Sequence, residues 1–520
     1  MSTQLRRGAW FLLTSILCCV FIGCGGEQPS TLIVDATVVD GTGRDRFEAD
    51  VRLEGERILE VGDLEAQAGE MVIDAGGLIL APGFIDTHSH VDYDVGDHPD
   101  ALADISQGVT TVVTGQCGGS QLPLSEFFTG VEERGSAVNI ASFAGHGTIR
   151  AEVMDEDFER PATADEIERM KALLVADLEA GALGMSTGLE YDPGIYSTTD
   201  EVVELAEVVA SRGGRYVSHI RSEDRWFWDA IDEILEIGRR AKLPVRISHL
   251  KLAMQSSHGQ TGRLLGRLDQ ARAEGIEVTA DIYPYTYWQS TLTVMFPDRD
   301  YEDRDAALFA VEELTSPGEM LIPEFDPDPS LAGKTLAEIS ALRGTDPATT
   351  LIDLIRESEA LRAKRKSEGE DEDVESVIAV SMKEDDIERL MAWPHINFCT
   401  DGGLVGTHPR GFGAFPRVLG HYVRERQVMT LEEAIHKMTA GAAFSFGSTY
   451  AAKKQRLPLL RTVDLNIGQS VTVELNNGNL ATVELLDVDE TVGEVWGHIY
   501  RAAATVRVNG QVATVVSGMY

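Results

Sequence analysis

The chain has 520 residues, 43% of them hydrophobic and 25% charged, a composition that suits one large α/β domain and a smaller one. Its 85 acidic and 45 basic residues give a formal charge of −40. Such a surface repels nucleic acid and gives no reason to expect adhesion to anionic lipid headgroups, so a saline or cold habitat is the simpler interpretation of the charge.

The N-terminal segment has the features of an export signal. Two arginines precede an apolar run over residues 9–22, which is too short to cross a bilayer comfortably. Cys24 lies just beyond this run and precedes two glycines, as at a bacterial lipidation site. The alternative is an ordinary signal peptide with incidental cysteines. We predict a signal peptide at residues 1–23 and an exported, periplasmic or cell-surface lipoprotein whose only membrane contact is the lipid on Cys24.

Residues 24–82 contain runs in which apolar and polar residues alternate. These β-like runs are separated by glycines. They predict a small antiparallel sheet, which would be the N-terminal part of a small β domain. The runs cover residues 31–34, 50–53, 57–61 and 71–74.

From residue 83 onward, short apolar runs alternate with helical patterns, which is typical of βα units. One helix is predicted from its cap at Thr163 to Gly181, and others cover residues 199–209, 226–240 and 263–273. Eight such units predict a (β/α)8 barrel of the TIM type over residues 83–445. The eight strand-like runs cover residues 83–90, 109–114, 138–143, 182–187, 215–221, 245–251, 277–285 and 395–401.

The seventh connection of this barrel, at about residues 289–394, is far longer than the others. A segment of this length predicts an insertion with its own helices. Insertions on the catalytic face of such barrels often form lids, so we expect this one beside the active site.

Metal-binding residue types follow the ends of five predicted strands. Because side chains alternate along a strand, His88 and His90 are expected to point the same way. Active-site residues of such barrels lie at the carboxyl ends of the strands. A single histidine is more often a satisfied core residue, but six residues at equivalent positions favour a metal site. Imidazole, thiolate and carboxylate together suit zinc better than magnesium or calcium. The six are His88 and His90 after strand one, Cys117 after strand two, His219 ending strand five, His249 ending strand six and Asp401 ending strand eight.

Seven longer motifs surround these residues. They read PGFIDTHSH from Pro82, GVTTVVTGQCG from Gly108, GMSTGLEY from Gly184, SHIRSE from Ser218, ISHLK from Ile247, DIYPY from Asp281 and HPRGFG from His408. In these motifs the chain resembles the amidohydrolase superfamily and, within it, the N-acyl-D-amino-acid deacylases (D-aminoacylases). The resemblance covers roughly residues 31–446.

The resemblance implies a zinc-dependent hydrolase that splits the amide bond of small N-acyl-D-amino acids. It implies one tightly held zinc on Cys117, His219 and His249, with a second, weaker position near His88 and His90.

Binuclear relatives use a carboxylated lysine at the end of strand four. Here this strand reads ALGMSTG from Ala182 and contains no lysine, so Cys117 is expected to take that ligand role. The absence argues against dihydropyrimidinase-type hydrolases.

Asp401 is expected to be the general base and acid of this reaction. Zinc lowers the pKa of a bound water and polarises the amide carbonyl. Asp401 would take the proton of that water and pass it to the departing amine, which leaves poorly unless protonated. The alternative role is a simple metal ligand, and the resemblance implies that Asp401 can do both.

A substrate with a free carboxylate requires a cation, and arginine can pair with a carboxylate through two hydrogen bonds. By resemblance, Lys251, Tyr283 and Arg410 are expected to bind the α-carboxylate, with Arg221 and Tyr191 beside them.

Two neighbouring assignments leave alternatives. Arg221 could instead form an ion pair with Glu223 or Asp224. Glu190 is interpreted as a loop residue rather than a catalyst.

Beyond residue 446 the resemblance fades. We expect a small β-sandwich-like domain built from the N-terminal and C-terminal segments, because the family closes with strands that lead to such a domain. Residues 446–520 here contain a different run of alternating β segments, and Asn477-Gly478 is a hairpin signal. A foreign β module or a truncated fusion is an equal alternative for this segment.

Two other functions fit part of the pattern. One is a different amide hydrolase of the superfamily, acting on a cyclic amide such as a hydantoin or on a D-configured dipeptide. The other is a non-catalytic surface lipoprotein that kept only the barrel. The complete set of predicted ligands, with Asp401, argues against the second.

Overall fold

The computed structural model describes residues 30–55, 57–368, 373–446, 467–474, 480–492 and 499–518. The predicted signal peptide, the lipidation site Cys24 and the hairpin signal at Asn477-Gly478 lie outside these residues. Within the described ranges, the helices are all too short or too polar to cross a membrane.

Strands and helices alternate along most of the described chain. The strands are β1 (Thr31–Val38), β2 (Phe47–Glu54), β3 (Arg57–Gly62), β4 (Met71–Asp74), β5 (Ile79–Leu80), β6 (Phe84–Asp86), β7 (Val109–Thr114), β8 (Asn139–Ser142), β9 (Ala144–Gly145), β10 (Gly184–Gly188), β11 (Arg215–His219), β12 (Val245–Ile247), β13 (Val278–Ile282), β14 (Tyr287–Ser290), β15 (Met320–Phe325), β16 (Lys334–Thr335), β17 (Glu375–Val380), β18 (Ile396–Phe398), β19 (Ser470–Glu474), β20 (Leu480–Val492), β21 (Ile499–Val508) and β22 (Gln511–Gly518). The α-helices are α1 (Leu102–Ile105), α2 (Leu124–Arg134), α3 (His146–Met154), α4 (Ala164–Ala180), α5 (Thr199–Ser211), α6 (Phe227–Ala241), α7 (Thr261–Ala273), α8 (Arg304–Phe309), α9 (Leu336–Arg343), α10 (Pro347–Glu368), α11 (Glu384–Met391), α12 (Arg410–Arg417), α13 (Leu431–Met438) and α14 (Ala440–Ser445).

The chain divides into two compact units, and the first contains the N-terminal sheet. This unit comprises residues up to 38 and residues 46–80. Its strand order is β3-β2-β1-β4, and β5 also pairs with β1. The β1–β2 and β2–β3 pairs are antiparallel, whereas β4 and β5 run parallel to β1. The prediction of an antiparallel sheet was therefore wrong for β4 and β5, because the chain crosses over after the β2–β3 hairpin.

The second unit comprises residues 39–45 and the chain from residue 81 onward, and parallel strands form its centre. One sheet has the order β6-β7-β8 and the next has the order β9-β10-β11-β12-β13-β18. Every pair in both sheets is parallel. Only Phe143 separates β8 from β9, so the last strand of the first sheet and the first strand of the second are adjacent in the chain. The result is an α/β fold, as predicted.

The predicted helices form between these strands, and one of them has its predicted cap. Helix α4 begins after Thr163, whose side chain accepts from the Glu166 amide while the Glu166 carboxylate binds the Thr163 amide. It ends at Gly181, which has a φ of 113°, a conformation that favours glycine. Buried side chains such as Met170, Leu205 and Ile231 join the helices to the strands in one continuous core.

The long seventh connection folds as an insertion with its own core, as predicted. It contains helices α8 to α10 and, in addition, a four-stranded sheet of order β14-β17-β15-β16. Leu292, Phe296, Leu336, Leu351 and Val377 are among the buried side chains of its separate hydrophobic cluster.

The C-terminal segment forms an antiparallel sheet of order β19-β20-β21-β22. This sheet agrees with the β-rich pattern of the sequence. Its contribution to a shared small β domain stays a prediction.

Candidate metal centre and active site

The predicted metal-binding residues converge at the carboxyl ends of the parallel strands. Cys117 follows β7, His219 is the last residue of β11 and His249 follows β12. The Cys117 sulfur lies 4.0 Å from His219 Nδ1 and 3.4 Å from His249 Nε2, and the two nitrogens are 3.1 Å apart. Tetrahedral zinc, with bonds of about 2.0–2.3 Å, places such donors roughly 3.3–3.7 Å apart. The three donors therefore have the spacing of a zinc site.

His88 and His90 lie beside this group, but in a loop. Strand β6 ends at Asp86, so strand alternation does not explain their common direction, and that part of the prediction was wrong. The loop is held by Asp86, whose carboxylate accepts from the amides of His88 and Thr400 at 3.2 and 3.0 Å. His88 Nε2 lies 3.4 Å from the Cys117 sulfur. His88, Cys117, His249 and Asp401 form a second group of close donor atoms.

Three of these residues have an unusual backbone conformation. Cys117, His249 and Asp401 have φ values of 51°, 35° and 51°, in the left-handed region that non-glycine residues rarely adopt. Each comes just after a strand. Such conformations persist where the surrounding structure enforces them, and they cluster at functional sites.

Two carboxylates that the sequence did not identify as functional hold the histidines from behind. Glu190 Oε2 lies 2.8 Å from His219 Nε2, and Glu223 Oε1 lies 2.9 Å from His249 Nδ1. Each contact leaves the other ring nitrogen facing Cys117. Carboxylates in this position fix the tautomer and orientation of ligand histidines. Their sequence signal is their place just beyond strands β10 and β11, inside the motifs GMSTGLEY and SHIRSE.

Charges in the site depend on one another. Burial, together with the carboxylates of Asp401 and Glu223, raises the pKa of the Cys117 thiol well above its ordinary value. Burial and the nearby Lys251 lower the pKa of His249 to about 3. A neutral histidine is ready to bind a metal, and a bound cation is what would favour the Cys117 thiolate. The donor set thus fits a metal ion electrostatically as well as by distance.

Asp401 lies between the histidines and a cation. Its Oδ1 is 3.3 Å from Nε2 of both His88 and His90, and its Oδ2 is 2.6 Å from Arg410 Nη1. Burial raises the pKa of Asp401, but Arg410, His249 and His88 outweigh it and hold that pKa well below its usual range. Asp401 is therefore an ionised carboxylate at the edge of the donor group, as a proton acceptor must be.

The predicted carboxylate-binding residues divide into two sets. Lys251 and Arg410 are buried and lie over the Tyr283 ring, at 5.8 and 4.9 Å from its centre. The Tyr283 hydroxyl is buried without a hydrogen-bond partner in the described residues. The Tyr191 ring packs against His219 at 4.4 Å. These four side chains line one cavity with His219, His249 and Asp401.

Arg221 does not belong to that cavity lining. Its guanidinium forms two hydrogen bonds with Glu233, at 2.8 and 2.9 Å, and a third with the Ile195 carbonyl. Its partner, Glu233 on α6, is therefore neither of the two alternatives raised from the sequence, Glu223 and Asp224. Arg221 thus joins the segment that follows β11 to helix α6.

The cavity encloses about 530 Å³ of empty space, counting the part open to solvent. Its lining includes His219, His249 and Asp401, together with residues 288–290, Val294, Met295 and Leu314 of the insertion. The insertion therefore borders the active-site cavity, as expected. Donors that would hold a metal ion, a proton acceptor and two cations around one cavity suit the hydrolysis of an amide that carries a carboxylate.

Known proteins are similar to this chain in sequence. Residues 71–450 match a family model described as amidohydrolase family. The N-acyl-D-glutamate deacylase of Alcaligenes xylosoxydans xylosoxydans is 34% identical over 471 residues, covering 86% of this chain and 88% of the relative. The chain therefore belongs to the amidohydrolase family, as its motifs indicated.

Two solved structures have a similar fold. The N-acyl-D-glutamate deacylase from Bordetella bronchiseptica, complexed with zinc and a phosphonate mimic of the tetrahedral intermediate, matches with a TM-score of 0.71 and 33% identity over 81% of this chain and 87% of that one. A D-aminoacylase described as having a binuclear metal centre matches with a TM-score of 0.70 and 32% identity over 93% of this chain and 96% of that one. The α/β fold of this chain is thus the fold of D-aminoacylase structures.

Proposed function

We propose that the chain hydrolyses the amide bond of N-acyl-D-amino acids, releasing a carboxylate and a free D-amino acid. The observation that carries the proposal is the convergence of Cys117, His219 and His249. The two histidines line one cavity with Asp401, Lys251 and Arg410. The names of the related deacylases support the choice of substrate and of the D configuration.

Cys117, His219 and His249 would hold one zinc ion tightly, with His88 and His90 beside a weaker second position. The spacing of the donors and the cysteine in the set support zinc. Bound zinc supplies an acidified water and polarises the amide carbonyl.

Asp401 moves the proton in this proposal. It accepts the proton of the attacking water and returns it to the leaving nitrogen, because its ionised carboxylate borders the donor group. Lys251, Arg410 and the Tyr283 hydroxyl bind the α-carboxylate, and Tyr191, which packs against His219, lies beside them. Arg221 supports the site from outside through Glu233.

We also propose that the parallel strands close into a (β/α)8 barrel. Hydrogen bonds join the segments that follow β6 and β18: the Asp401 amide donates to the His88 carbonyl and the His90 amide to the Gly402 carbonyl, both at 2.9 Å. The Thr87 hydroxyl also donates to the Phe398 carbonyl at 3.1 Å. These contacts support closure of the strand ring, which fits donors that converge from separate strands.

The export prediction leads to a separate proposal, that Cys24 carries a lipid anchor after removal of residues 1–23. Detergent-phase partition and intact mass of the protein expressed in a bacterium test this. Lipidation should disappear in Cys24→Ser and persist in Cys19→Ser, a cysteine inside the apolar run. Equal partition of both variants into the aqueous phase would refute the anchor.

Activity is tested on the zinc-loaded full chain with acetyl-D-methionine, acetyl-L-methionine, a hydantoin and a D-configured dipeptide. We expect hydrolysis of the acetyl-D-amino acid above the others and loss of activity by about 100-fold to 10,000-fold in Asp401→Asn. Asp224→Asn is the matched control, since Asp224 also lines the cavity but binds Ser222. Hydrolysis of only the hydantoin or the dipeptide would show that the substrate is not an N-acyl-D-amino acid. Activity of Asp401→Asn equal to wild type would refute the assignment of Asp401 as the base.

A further inference from the structure

The charges that line the cavity are unevenly distributed. The lining contains four carboxylates but only two cations, Lys251 and Arg410. Both cations already have a carboxylate partner. Arg410 lies 2.6 Å from Asp401, and Lys251 lies 2.6 Å from both oxygens of Glu223. The four carboxylates are Glu190, Glu223, Asp224 and Asp401.

Two further arginines bind the backbone of residues in the cavity lining but do not line the cavity themselves. Arg225 donates to the Met295 carbonyl at 3.1 Å and approaches Asp224 at 3.4 Å. Arg299 donates to the Glu190 carbonyl at 2.9 Å and to Asp192 at 3.0 Å. Neither arginine lines the cavity, so no third cation is available there within the described residues.

The part of the lining that the insertion contributes carries no charge and is mostly apolar, with Gln289 and Ser290 as its polar residues. Met295 and Leu314 are buried, Val294 and Trp288 are half-buried, and all four come from the strand and helical turns of the insertion. Ala253 adds a small side chain beside Lys251. Methionine and leucine adapt to apolar groups of different shape. This mostly apolar wall would contact whichever part of the substrate points away from the α-carboxylate.

We infer that the enzyme is specific for N-acyl-D-amino acids with uncharged, apolar side chains and discriminates against N-acyl-D-glutamate and N-acyl-D-aspartate. The inference deepens the proposed function and rests on it. A second carboxylate on the substrate would be buried among carboxylates, apolar side chains and uncharged polar groups without a cation to pair with, because the two cations bind the first one. The side-chain preference thus differs from that of the N-acyl-D-glutamate deacylases to which the chain is similar.

The first test measures kcat/KM of the zinc-loaded full chain for four acetyl-D-amino acids, those of methionine, leucine, glutamine and glutamate. Glutamine has nearly the shape of glutamate without its charge, so it separates charge from size. We expect methionine and leucine to exceed glutamate at least about 100-fold, with glutamine between them. A kcat/KM for glutamate equal to or above that for methionine would overturn the inference while leaving the proposed function intact. Hydrolysis of none of the four would refute the proposed function.

The second test places a cation in the apolar wall. Val294 is half-buried in the cavity lining, so Val294→Arg can extend into the cavity without filling a closed core. We expect the glutamate-to-methionine ratio of kcat/KM to rise at least about 10-fold in this variant and to stay unchanged in the uncharged control Val294→Met. Unchanged ratios in both variants, with native circular dichroism, would show that charge in this wall does not set the preference.

Discussion

The carboxylate of Glu190 positions His219 through the nitrogen that faces away from the donor group. Its Oε2 lies 2.8 Å from His219 Nε2, so the ring presents Nδ1 to Cys117 and His249. Loss of such a carboxylate typically weakens metal affinity about 10-fold to 100-fold. We expect Glu190→Gln to lower the zinc affinity at least about 10-fold, measured by competition with a chelator.

The control for this prediction is Glu207→Gln on helix α5, where the glutamate is exposed. Its zinc affinity should equal that of the wild type. If Glu190→Gln also binds zinc as tightly as the wild type, backbone and packing alone orient His219.

Asp104 is a buried carboxyl group in helix α1, and its Oδ2 has no hydrogen-bond partner in the described part of the chain. Burial raises its pKa from 3.8 to about 7. Because the pKa of the folded state is the higher one, the stability that this group contributes is fully present below about pH 4 and is lost as the pH rises toward 7. Asp104→Asn removes the ionisable group, so the variant does not lose this stability as the pH rises.

We therefore expect the free energy of unfolding of Asp104→Asn, relative to wild type, to increase from pH 5 to pH 8 by on the order of 1–4 kcal/mol. Urea unfolding at both pH values measures it. The exposed Asp97→Asn should show no such increase. An equal difference between Asp104→Asn and wild type at both pH values would contradict the prediction.

At the scale of single residues, the metal-binding side chains could be predicted from the sequence, but the residues that hold them in position could not. Cysteine and histidine at strand ends are rare enough to indicate a metal site. The roles of Glu190 and of the Arg221–Glu233 pair do not follow from residue type, because acidic residues are abundant in this chain and the partner of each depends on tertiary packing. The left-handed conformation of Cys117 likewise results from the surrounding fold and not from its residue type.

Helix α4 offers a prediction at the scale of the element. Thr163 caps this helix, and its side chain and Glu166 satisfy two amides that the helix would leave unpaired. Loss of such a cap costs about 1 kcal/mol. We expect Thr163→Ala to increase hydrogen exchange in the first turn of α4 about 5-fold, measured by mass spectrometry.

Thr163→Ser keeps the hydroxyl and is the control for the cap. Its exchange in the first turn should match that of the wild type. Equal exchange in Thr163→Ala and Thr163→Ser would show that packing of α4 onto its neighbours, and not the cap, holds the first turn closed.

Elements with strong local signals could be predicted closely, and others could not. The cap and the glycine fixed both ends of α4. Strands β6, β12 and β18 are only three residues long, although their apolar runs predicted about seven or eight. Those runs continue into buried loops, where burial selects apolar residues without strand pairing. The insertion sheet was missed because its strands, such as β14 and β17, are far apart in sequence.

At the scale of the molecule, repeated βα units were enough to predict the α/β class, since each unit carries its own local pattern. The contacts that join the segments after β6 and β18 arise between residues more than 300 positions apart, such as Thr87 and Phe398, so local patterns do not reveal them. The parallel course of β4 beside β1 was hidden for the same reason, because a crossover is a property of the chain path.

The donors of the proposed zinc site come from three strands, β7, β11 and β12, so a bound ion would link distant parts of the second unit. Binding to the folded state alone stabilises it by about 2.7 kcal/mol at a free concentration of 100 times the Kd. We expect chelation to lower the unfolding temperature by several degrees and added zinc to restore it, measured by calorimetry. Cys117→Ser should lose this response, whereas Cys399→Ser, which removes the other cysteine of the described residues, should keep it. An unfolding temperature of the wild type that is independent of zinc would contradict a tight site, because an ion bound only to the folded state must raise it.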